Sequence, residues 1–181
     1  MTDQTLHKAA EVLNNGGTIV CRTDTIYGIL APADNEHAVK NVYNIRARSD
    51  DKSPIVVIAS DDQLYDSPTD EAKLFLSSVW PGKVSVILPS KTAPAWIQRQ
   101  NASVAYRMPA NKFLSELITQ TGRLIAPSAN TQGNTPARSI DEARDYFGDS
   151  VDMYIDGGVV NDNTPSLLYR ISKNGETEQL R

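Results

Sequence analysis

Four segments of the chain combine arginine, serine, threonine and asparagine at the ends of predicted strands. They read RTDTIYG (22–28), RARSDDKSP (46–54), SVAYRMPAN (103–111) and APSANTQGNTPAR (126–138). An arginine fork binds phosphate or carboxylate oxygens through two parallel hydrogen bonds, and hydroxyl groups add neutral donors. Such a set could hold a nucleotide and an amino acid in register. It contains no obvious general base, so catalysis would depend on positioning and charge neutralisation.

The sequence lacks the other common catalytic and metal-binding patterns. Its two histidines, His7 and His37, lie on predicted helix surfaces, which argues against a zinc site and against a Ser-His-Asp triad. Cys21 lies in the middle of a predicted strand, where a cysteine is usually a small buried hydrophobe. Neither a G-x-G-x-x-G nor a Walker-type phosphate loop is present. We therefore predict no metal site formed by protein ligands.

Each polar segment also has a purely structural explanation. Arg46 and Arg48 stand near the end of a predicted helix, where the helix dipole favours an arginine even in solvent. Ser128 and Asn130 follow a proline and are good turn residues. Tyr27 is of a type found more often in a core or at its rim than against a ligand. The combination favours binding, because all four segments follow or flank apolar strands, where α/β folds place ligands.

Periodicity supplies the elements that must position these residues. Helices are predicted over residues 3–14, 35–46 and 70–79, and in the segments KFLSELITQTG and SIDEARDYFG. Strands are predicted in TIVCRT, SPIVVIAS, KVSVILPS, SVAYRMP, RLIAPSAN, DMYIDGG and SLLYRIS. Because helices and strands mix without strict alternation, we predict an α/β fold with a sheet of mixed direction. With no repeat and no linker, residues 1–181 are predicted to form a single domain.

Composition limits the class of protein. The chain has 181 residues, of which 40% are hydrophobic and 22% charged, so it can form a substantial core. A formal net charge of −4 argues against bulk binding to nucleic acid. The single cysteine excludes an internal disulfide and fits a reducing compartment. The polar start of the chain and the lack of a long apolar run predict a cytoplasmic protein without a membrane span.

The polar segments resemble the motifs of the YrdC/TsaC family, the threonylcarbamoyl-AMP synthases. RTDTIYG resembles the family's P-T-[ED]-T-x-Y-G-L turn, and WPGKVSVILPS (80–90) resembles its W-P-G element. YRMPAN (106–111) resembles its V-R-x-P segment, and APSANTQGNTPAR carries its S-x-N motif. The resemblance extends from about residue 6 to the C terminus. It implies an open, twisted, mixed α/β sheet with flanking helices around a large concavity.

The resemblance also implies a reaction, in which L-threonine, bicarbonate and ATP give threonylcarbamoyl-adenylate and pyrophosphate. The product would pass to downstream threonylcarbamoyl-transfer proteins for the modification of adenosine in tRNA. Mg²⁺ is expected to arrive with ATP and to have no protein ligand. No organic cofactor is expected.

Site residues carry over from the family motifs by position. Catalysis is assigned to Arg46 and Arg48, of which Arg46 replaces the family's lysine. Threonine binding is assigned to three hydroxyl groups and one arginine: Thr23, Thr25, Ser166 and Arg107. Nucleotide binding is assigned to a larger polar set: Arg48, Lys52, Ser103, Ser128, Asn130, Thr135 and Arg181.

Two alternatives remain open from the sequence. The first is a non-catalytic relative that binds double-stranded RNA or tRNA through the same concavity, which the acidic net charge disfavours. A weak tRNA contact by an active enzyme is a milder form of it. The second is a carbamoyl-transfer module like the related domain of hydrogenase-maturation proteins, although their zinc-finger and acylphosphatase-like regions are missing.

Overall fold

The computed structural model of the protein describes residues 2–47, 49, 53–162 and 164–181. The helices are α1 (Asp3–Asn14), α2 (Glu36–Ile45), α3 (Asp70–Val79), α4 (Ala95–Gln98), α5 (Lys112–Thr121) and α6 (Ile140–Phe147). The strands are β1 (Ile19–Arg22), β2 (Tyr27–Pro32), β3 (Ile55–Val57), β4 (Val84–Pro89), β5 (Ser103–Arg107), β6 (Leu124–Ile125), β7 (Met153–Ile155), β8 (Leu167–Ile171) and β9 (Thr177–Gln179). Short 3-10 turns cover Asp61–Gln63 and Gly148–Ser150.

Within these residues the strands form one sheet in the order β7-β1-β2-β6-β3-β5-β4-β8-β9. Three neighbouring pairs are parallel, namely β1 with β7, β3 with β5 and β4 with β8. The remaining pairs are antiparallel. Since β7 and β9 each stand at an end of the order, the sheet is open. The predicted open α/β sheet of mixed direction is confirmed.

Helices α1 and α3 begin and end where the sequence predicts. In each, a threonine before the first turn accepts a backbone N–H that has no partner within the helix: Thr2 accepts from Thr5, and Thr69 from Ala72. Asn35 caps α2 in the same way. These caps fix the start of each helix, so local sequence suffices to place it.

Three elements were not predicted: β2, β9 and the short helix α4. Strand β2 begins inside the polar segment 22–28, whose turn residues concealed it. Strand β9 is exposed along its whole length and has no alternating apolar pattern. The strand predicted over residues 53–60 is reduced to β3, because only Ile55–Val57 pair with β5 and β6.

The two faces of the sheet carry separate apolar clusters. Along β1, Val20 faces one cluster, while Ile19 and Cys21 face the other. Helices α1 and α5 cover the second cluster, and α2, α3 and α6 contribute to the first. The clusters fix the central strands from both sides, so the loops at the strand ends have defined positions. In the part of the chain that the structure describes, no helix is both long and apolar enough to cross a membrane.

Cys21 belongs to the core. It is fully buried, and this burial raises the pKa of its thiol to about 12. A thiol that stays protonated at neutral pH is a poor nucleophile. The prediction that Cys21 is a small buried hydrophobe is confirmed.

Candidate functional site

A cavity of about 220 Å³ brings together segments that are far apart in the sequence. Its walls come from the β1–β2 turn, the start of β3, the end of β5, the segment after β6 and the segment before β8. The last residue of the chain completes it. Six of the predicted site residues line this cavity: Thr23, Thr25, Arg107, Ser128, Ser166 and Arg181.

The two threonines of the β1–β2 turn have different roles. The Thr23 hydroxyl donates to the carbonyl of Ile26 at 2.6 Å and accepts the backbone N–H of Thr25 at 3.2 Å. Thr23 and Thr25 hydroxyl oxygens lie 3.2 Å apart, and Thr23 has already used its one proton, so Thr25 donates in this contact. Thr23 therefore shapes the turn, whereas the oxygen of Thr25 keeps its lone pairs for a ligand. Sequence reasoning expected both hydroxyls to face the ligand.

Arg107 ends β5 and forms a buried ion pair with a residue that the sequence analysis did not select. Its Nη2 lies 3.3 Å from Oδ1 of Asp24, and the two side chains are 5% and 6% exposed. Burial lowers the pKa of the Arg107 guanidinium, the Asp24 carboxylate opposes this shift, and nearby Arg181 adds to it. The pair places a desolvated arginine against the cavity, where it would bind a carboxylate.

Arg46 is buried, which excludes the solvent-exposed position that the helix dipole alone would explain. It follows the last turn of α2 and is 2% exposed. Its Nε donates to the carbonyl of Asn130 at 3.0 Å. Its Nη2 donates to Ser128 Oγ at 3.1 Å and to Asn130 Oδ1 at 3.2 Å. Arg46 thus joins α2 to the S-x-N motif and fixes the hydroxyl of Ser128 at the cavity wall.

Asn130 serves this loop and does not line the cavity. Its Oδ1 accepts from Arg46, and its Nδ2 donates to the carbonyls of Thr131 and Asn134. Both ends of the amide are therefore engaged within the protein. The geometry makes Asn130 a residue that positions Arg46 and the loop after it.

The segment that carries Ser128 is held beside β2 by backbone hydrogen bonds. Ile29 donates to the carbonyl of Pro127 at 3.0 Å, and Ala129 donates to the carbonyl of Tyr27 at 2.9 Å. Gly28 and Ser128 form an antiparallel bridge between these two bonds. The β2 strand therefore determines how far Ser128 stands from the β1–β2 turn.

Gly28→Ala tests this close approach. A methyl group at position 28 would lie 3.1 Å from Thr23 Cγ2 and 3.3 Å from the carbonyl oxygen of Pro127. Backbone atoms cannot shift as easily as the end of a side chain. We therefore expect the hydrogen bond from the Ile29 N–H to the Pro127 carbonyl to weaken. Amide exchange at Ile29 should be roughly 10-fold faster, which corresponds to a cost of about 1–2 kcal/mol.

Amides between β3 and β5 provide the internal control for Gly28→Ala, and their exchange should not change. Unchanged exchange at Ile29 would show instead that the Thr23 methyl group gives way. In that case the β2–Pro127 contact would not set the width of the cavity.

Ser166 and Arg181 form another part of the cavity wall. The hydroxyls of Ser166 and Ser85 lie 2.9 Å apart, and both residues are buried. Arg181 donates from Nε to the carbonyl of Ser166 at 3.0 Å. Ser85, on β4, does not line the cavity but fixes the hydroxyl of Ser166, which does. Arg181 adds a second guanidinium group to the cavity.

The remaining predicted residues lie elsewhere. Ser103 starts β5, four residues before Arg107, which places it roughly 13 Å along the strand. Thr135 is exposed, although the adjacent Pro136 lines the cavity. Neither Ser103 nor Thr135 is among the lining residues. Arg48 and Lys52 lie outside the described residues.

Sequence reasoning missed several residues of the site. Asp24 stood within the T-D-T segment, and Ser85 within the W-P-G element, but neither could be selected without its distant partner. Tyr27 is fully buried and lines the cavity, and its hydroxyl accepts the Gly157 N–H and donates to the Gly158 carbonyl. Tyr27 thereby fixes the loop that leads to Ser166.

The described lining residues include no carboxylate side chain and no imidazole. Nor do the described residues contain a group of three or more His, Cys, Asp or Glu side chains placed to hold a metal ion. Guanidinium and hydroxyl groups supply the polar side chains of the walls, beside apolar residues such as Ile26 and Pro127. Such a site can bind and orient anions, and it can neutralise the charge of a transition state.

Comparison with known proteins identifies similar chains. The model of the Sua5/YciO/YrdC family, described as telomere recombination, matches residues 11–181. A threonylcarbamoyl-AMP synthase of Pseudoalteromonas atlantica is 33% identical over 162 residues, covering 86% of each chain. A threonylcarbamoyl-AMP synthase of Marinobacter nauticus is 30% identical over 169 residues, covering 90% of this chain and 89% of the relative.

A solved structure shares the architecture. The crystal structure of Pyrococcus abyssi Sua5 in complex with L-threonine superposes with a TM-score of 0.92 at 29% identity. The match covers 100% of this chain and 54% of the archaeal one. The chain therefore spans about half the length of that protein.

Proposed function

The chain belongs to the Sua5/YciO/YrdC family, and we propose that it is an L-threonylcarbamoyladenylate synthase, a nucleotidyltransferase. It converts L-threonine, bicarbonate and ATP into threonylcarbamoyl-AMP and pyrophosphate. One observation carries the proposal: six polar residues, assigned in advance to threonine and ATP, line one cavity. The names of the relatives and the L-threonine bound in the archaeal structure support it.

Threonine occupies the part of the cavity near Arg107 in this proposal. The Arg107 guanidinium binds the α-carboxylate, because a desolvated arginine gains strongly from a carboxylate partner. Thr25 and Ser166 supply hydroxyl groups for the polar atoms of the substrate. The methyl group of threonine packs against lining residues such as Pro127 and Pro165.

ATP occupies the part of the cavity near Ser128 and Arg181. Arg46 acts through Ser128, whose hydroxyl it orients, and is therefore a positioning residue rather than a group that touches the phosphates. For Arg48, Lys52, Ser103 and Thr135, a role with ATP is proposed from the sequence resemblance alone. The magnesium ion of Mg·ATP takes its ligands from phosphate oxygens and water.

The proposed chemistry has two steps. The threonine amine attacks bicarbonate, forms a C–N bond, and releases water to give the N-carboxylate. An oxygen of this carboxylate then attacks the α-phosphorus of ATP, and the bond to pyrophosphate breaks. The protein contributes by holding the two substrates in line and by placing guanidinium groups against the developing charge.

The product is a mixed anhydride, which suits transfer to a nucleophile on another protein's substrate. We propose that downstream threonylcarbamoyl-transfer proteins pass it to adenosine in tRNA. A purely RNA-binding function is not favoured, because the curated relatives carry the name of a synthase and the net charge is −4.

Pyrophosphate release tests the proposal directly. With Mg·ATP present, release should require both L-threonine and bicarbonate, and omission of either should reduce it to background. Serine should support a kcat/KM roughly 10-fold or more lower, since it lacks one methyl group that the pocket would bury. Release that does not depend on threonine, or no release despite ATP binding, would contradict the proposed reaction.

A further inference from the structure

Two buried hydroxyl groups meet at the cavity wall. The oxygens of Ser85 and Ser166 lie 2.9 Å apart, and neither hydroxyl has another hydrogen-bond partner among the described residues. Ser85 is fully buried, whereas Ser166 lines the cavity. Each hydroxyl carries one proton, so only one of the two donates in this contact.

The burial of Ser85 determines the direction of this hydrogen bond. If Ser166 donated, the Ser85 proton would be buried without an acceptor, which is costly and rare in proteins. Ser85 therefore donates to Ser166 Oγ. The Ser166 proton then has no acceptor within the part of the chain that the structure describes, and it is available to a group inside the cavity. A hydroxyl that already accepts a hydrogen bond is also a stronger donor.

The strands place this donor close to Arg107. Val86 of β4 pairs with Tyr106 of β5, so the next position of the antiparallel register puts Ser85 opposite Arg107. Opposite residues of such a pair lie on the same face of the sheet. On its other side β4 pairs with β8, and Ser166 directly precedes that strand. Arg107 and Ser166 thus lie on either side of Ser85, and both line the cavity.

We propose that Ser85 is a positioning residue, which fixes Ser166 as a hydrogen-bond donor to the carboxylate that Arg107 binds. The inference rests on the proposed function, which assigns Arg107 to the α-carboxylate of threonine, and deepens it. A carboxylate has about four acceptor sites, so a guanidinium and a hydroxyl can bind the same carboxylate together. Ser85 contributes without touching the substrate, since it does not line the cavity.

A double-mutant cycle tests this role, with calorimetric titration of L-threonine in the absence of ATP. Ser85→Ala should weaken binding roughly 5-fold, because the Ser166 hydroxyl is then free to rotate. Ser166→Ala should weaken binding roughly 10-fold or more, because it removes a hydrogen bond to a charged group. The double variant should match Ser166→Ala to within about 2-fold, since no hydroxyl remains for Ser85 to orient.

Two results of the cycle would overturn the inference. One is an unchanged affinity in Ser85→Ala. The other is a loss by the same factor whether or not Ser166 is present, because Ser85 would then act independently of that hydroxyl.

Matched variants separate the hydroxyl of Ser85 from its packing. Ser85→Thr and Ser85→Val have nearly the same shape and differ in the hydroxyl group, so Ser85→Thr should bind L-threonine more tightly. Equal affinities of these two variants would contradict the proposed role. Ser90→Ala removes another buried hydroxyl, which donates to Asp66 away from the cavity, and it should leave the affinity unchanged.

The direction of the hydrogen bond has its own measurement. In the ligand-free wild type, the hydroxyl proton of Ser85 should exchange slowly enough with water to be observed by NMR, whereas that of Ser166 should exchange rapidly. A protected proton on Ser166 and none on Ser85 would reverse the direction and overturn the inference.

The outcome is separable from that of the proposed function. A chain that binds L-threonine and shows the coupling of the two serines, yet releases no pyrophosphate, would remove the synthase reaction and keep the role of Ser85. Threonine-dependent pyrophosphate release together with independent effects of the two serines would keep the reaction and remove that role. A wild-type chain that does not bind L-threonine would overturn both.

Discussion

Arg107→Lys should raise the KM for L-threonine roughly 100-fold while the KM for ATP changes by less than about 3-fold. A lysine keeps the charge beside Asp24 but loses the planar fork that binds both carboxylate oxygens. The side chain is 5% exposed, so water cannot replace the lost hydrogen bonds cheaply. Steady-state pyrophosphate release at varied threonine and at varied ATP separates the two KM values.

Arg107→Lys is preferred to Arg107→Ala because a truncation would change both threonine binding and the stability of the fold. Arg107→Ala would leave the Asp24 carboxylate buried without a partner, at a cost to folding of about 3–5 kcal/mol. The double variant Asp24→Asn/Arg107→Gln removes both charges and avoids that cost. It should remain folded and should show an equal or larger rise in the KM for threonine.

A surface arginine provides the matched control. Arg170 pairs with Glu178 at 3.5 Å, and both side chains are more than half exposed. Arg170→Lys should leave both KM values unchanged, since exposed ion pairs contribute little. If Arg107→Lys raised the two KM values equally, Arg107 would not be the carboxylate-binding group, and the division of the cavity proposed above would be wrong.

Local signals were sufficient for much of the fold. The limits of α1 and α3 follow from a threonine cap and an amphipathic pattern, which act within a few residues of each other. Strands β2 and β9 were missed because pairing across the sheet creates them. Strand β2 lies between β1 and β6. Strand β9 pairs with β8 through its backbone and through exposed side chains, without a buried side chain.

The site residues also divide into those that local motifs identify and those that only long-range contacts reveal. The motifs selected Arg107 and Ser128, and both line the cavity. Asp24 was not selected as a site residue because its partner, Arg107, lies 83 positions later in the sequence. The alternation of residue types around Asp24 indicated only a half-exposed strand end. The burial of Arg46 was not predicted for the same reason, because its acceptors on Asn130 are separated from it by 84 positions. Sequence identifies the chemical types, whereas long-range pairing decides which of them meet.

Arg46→Ala should reduce both stability and turnover. The substitution removes hydrogen bonds to Ser128 Oγ and to both oxygen atoms of Asn130 in a region where the arginine is 2% exposed. Leaving these acceptors unsatisfied should cost about 3 kcal/mol, and lower the melting temperature by roughly 6–12 °C. Pyrophosphate release should fall by about 100-fold or more at a temperature where the variant is still folded, because Ser128 loses its fixed position.

Arg46→Lys separates charge from geometry, and it restores the residue type found at this position in the family motif. A lysine carries the same charge but has no planar fork, so it cannot make all three hydrogen bonds at once. We expect a melting temperature between those of the wild type and Arg46→Ala, with turnover recovered to within about 10-fold of the wild type. Circular dichroism melts and pyrophosphate release provide the two measurements.

The comparison of these two variants decides what Arg46 does. If Arg46→Lys recovers stability but not turnover, the fork itself is needed at the reacting groups, and Arg46 acts on the substrate rather than through Ser128. If Arg46→Ala is as active as the wild type although it melts earlier, the S-x-N loop keeps its active form without this anchor. Only a joint loss in Arg46→Ala and a joint, partial recovery in Arg46→Lys fit a residue that works by holding Ser128 and Asn130 in place.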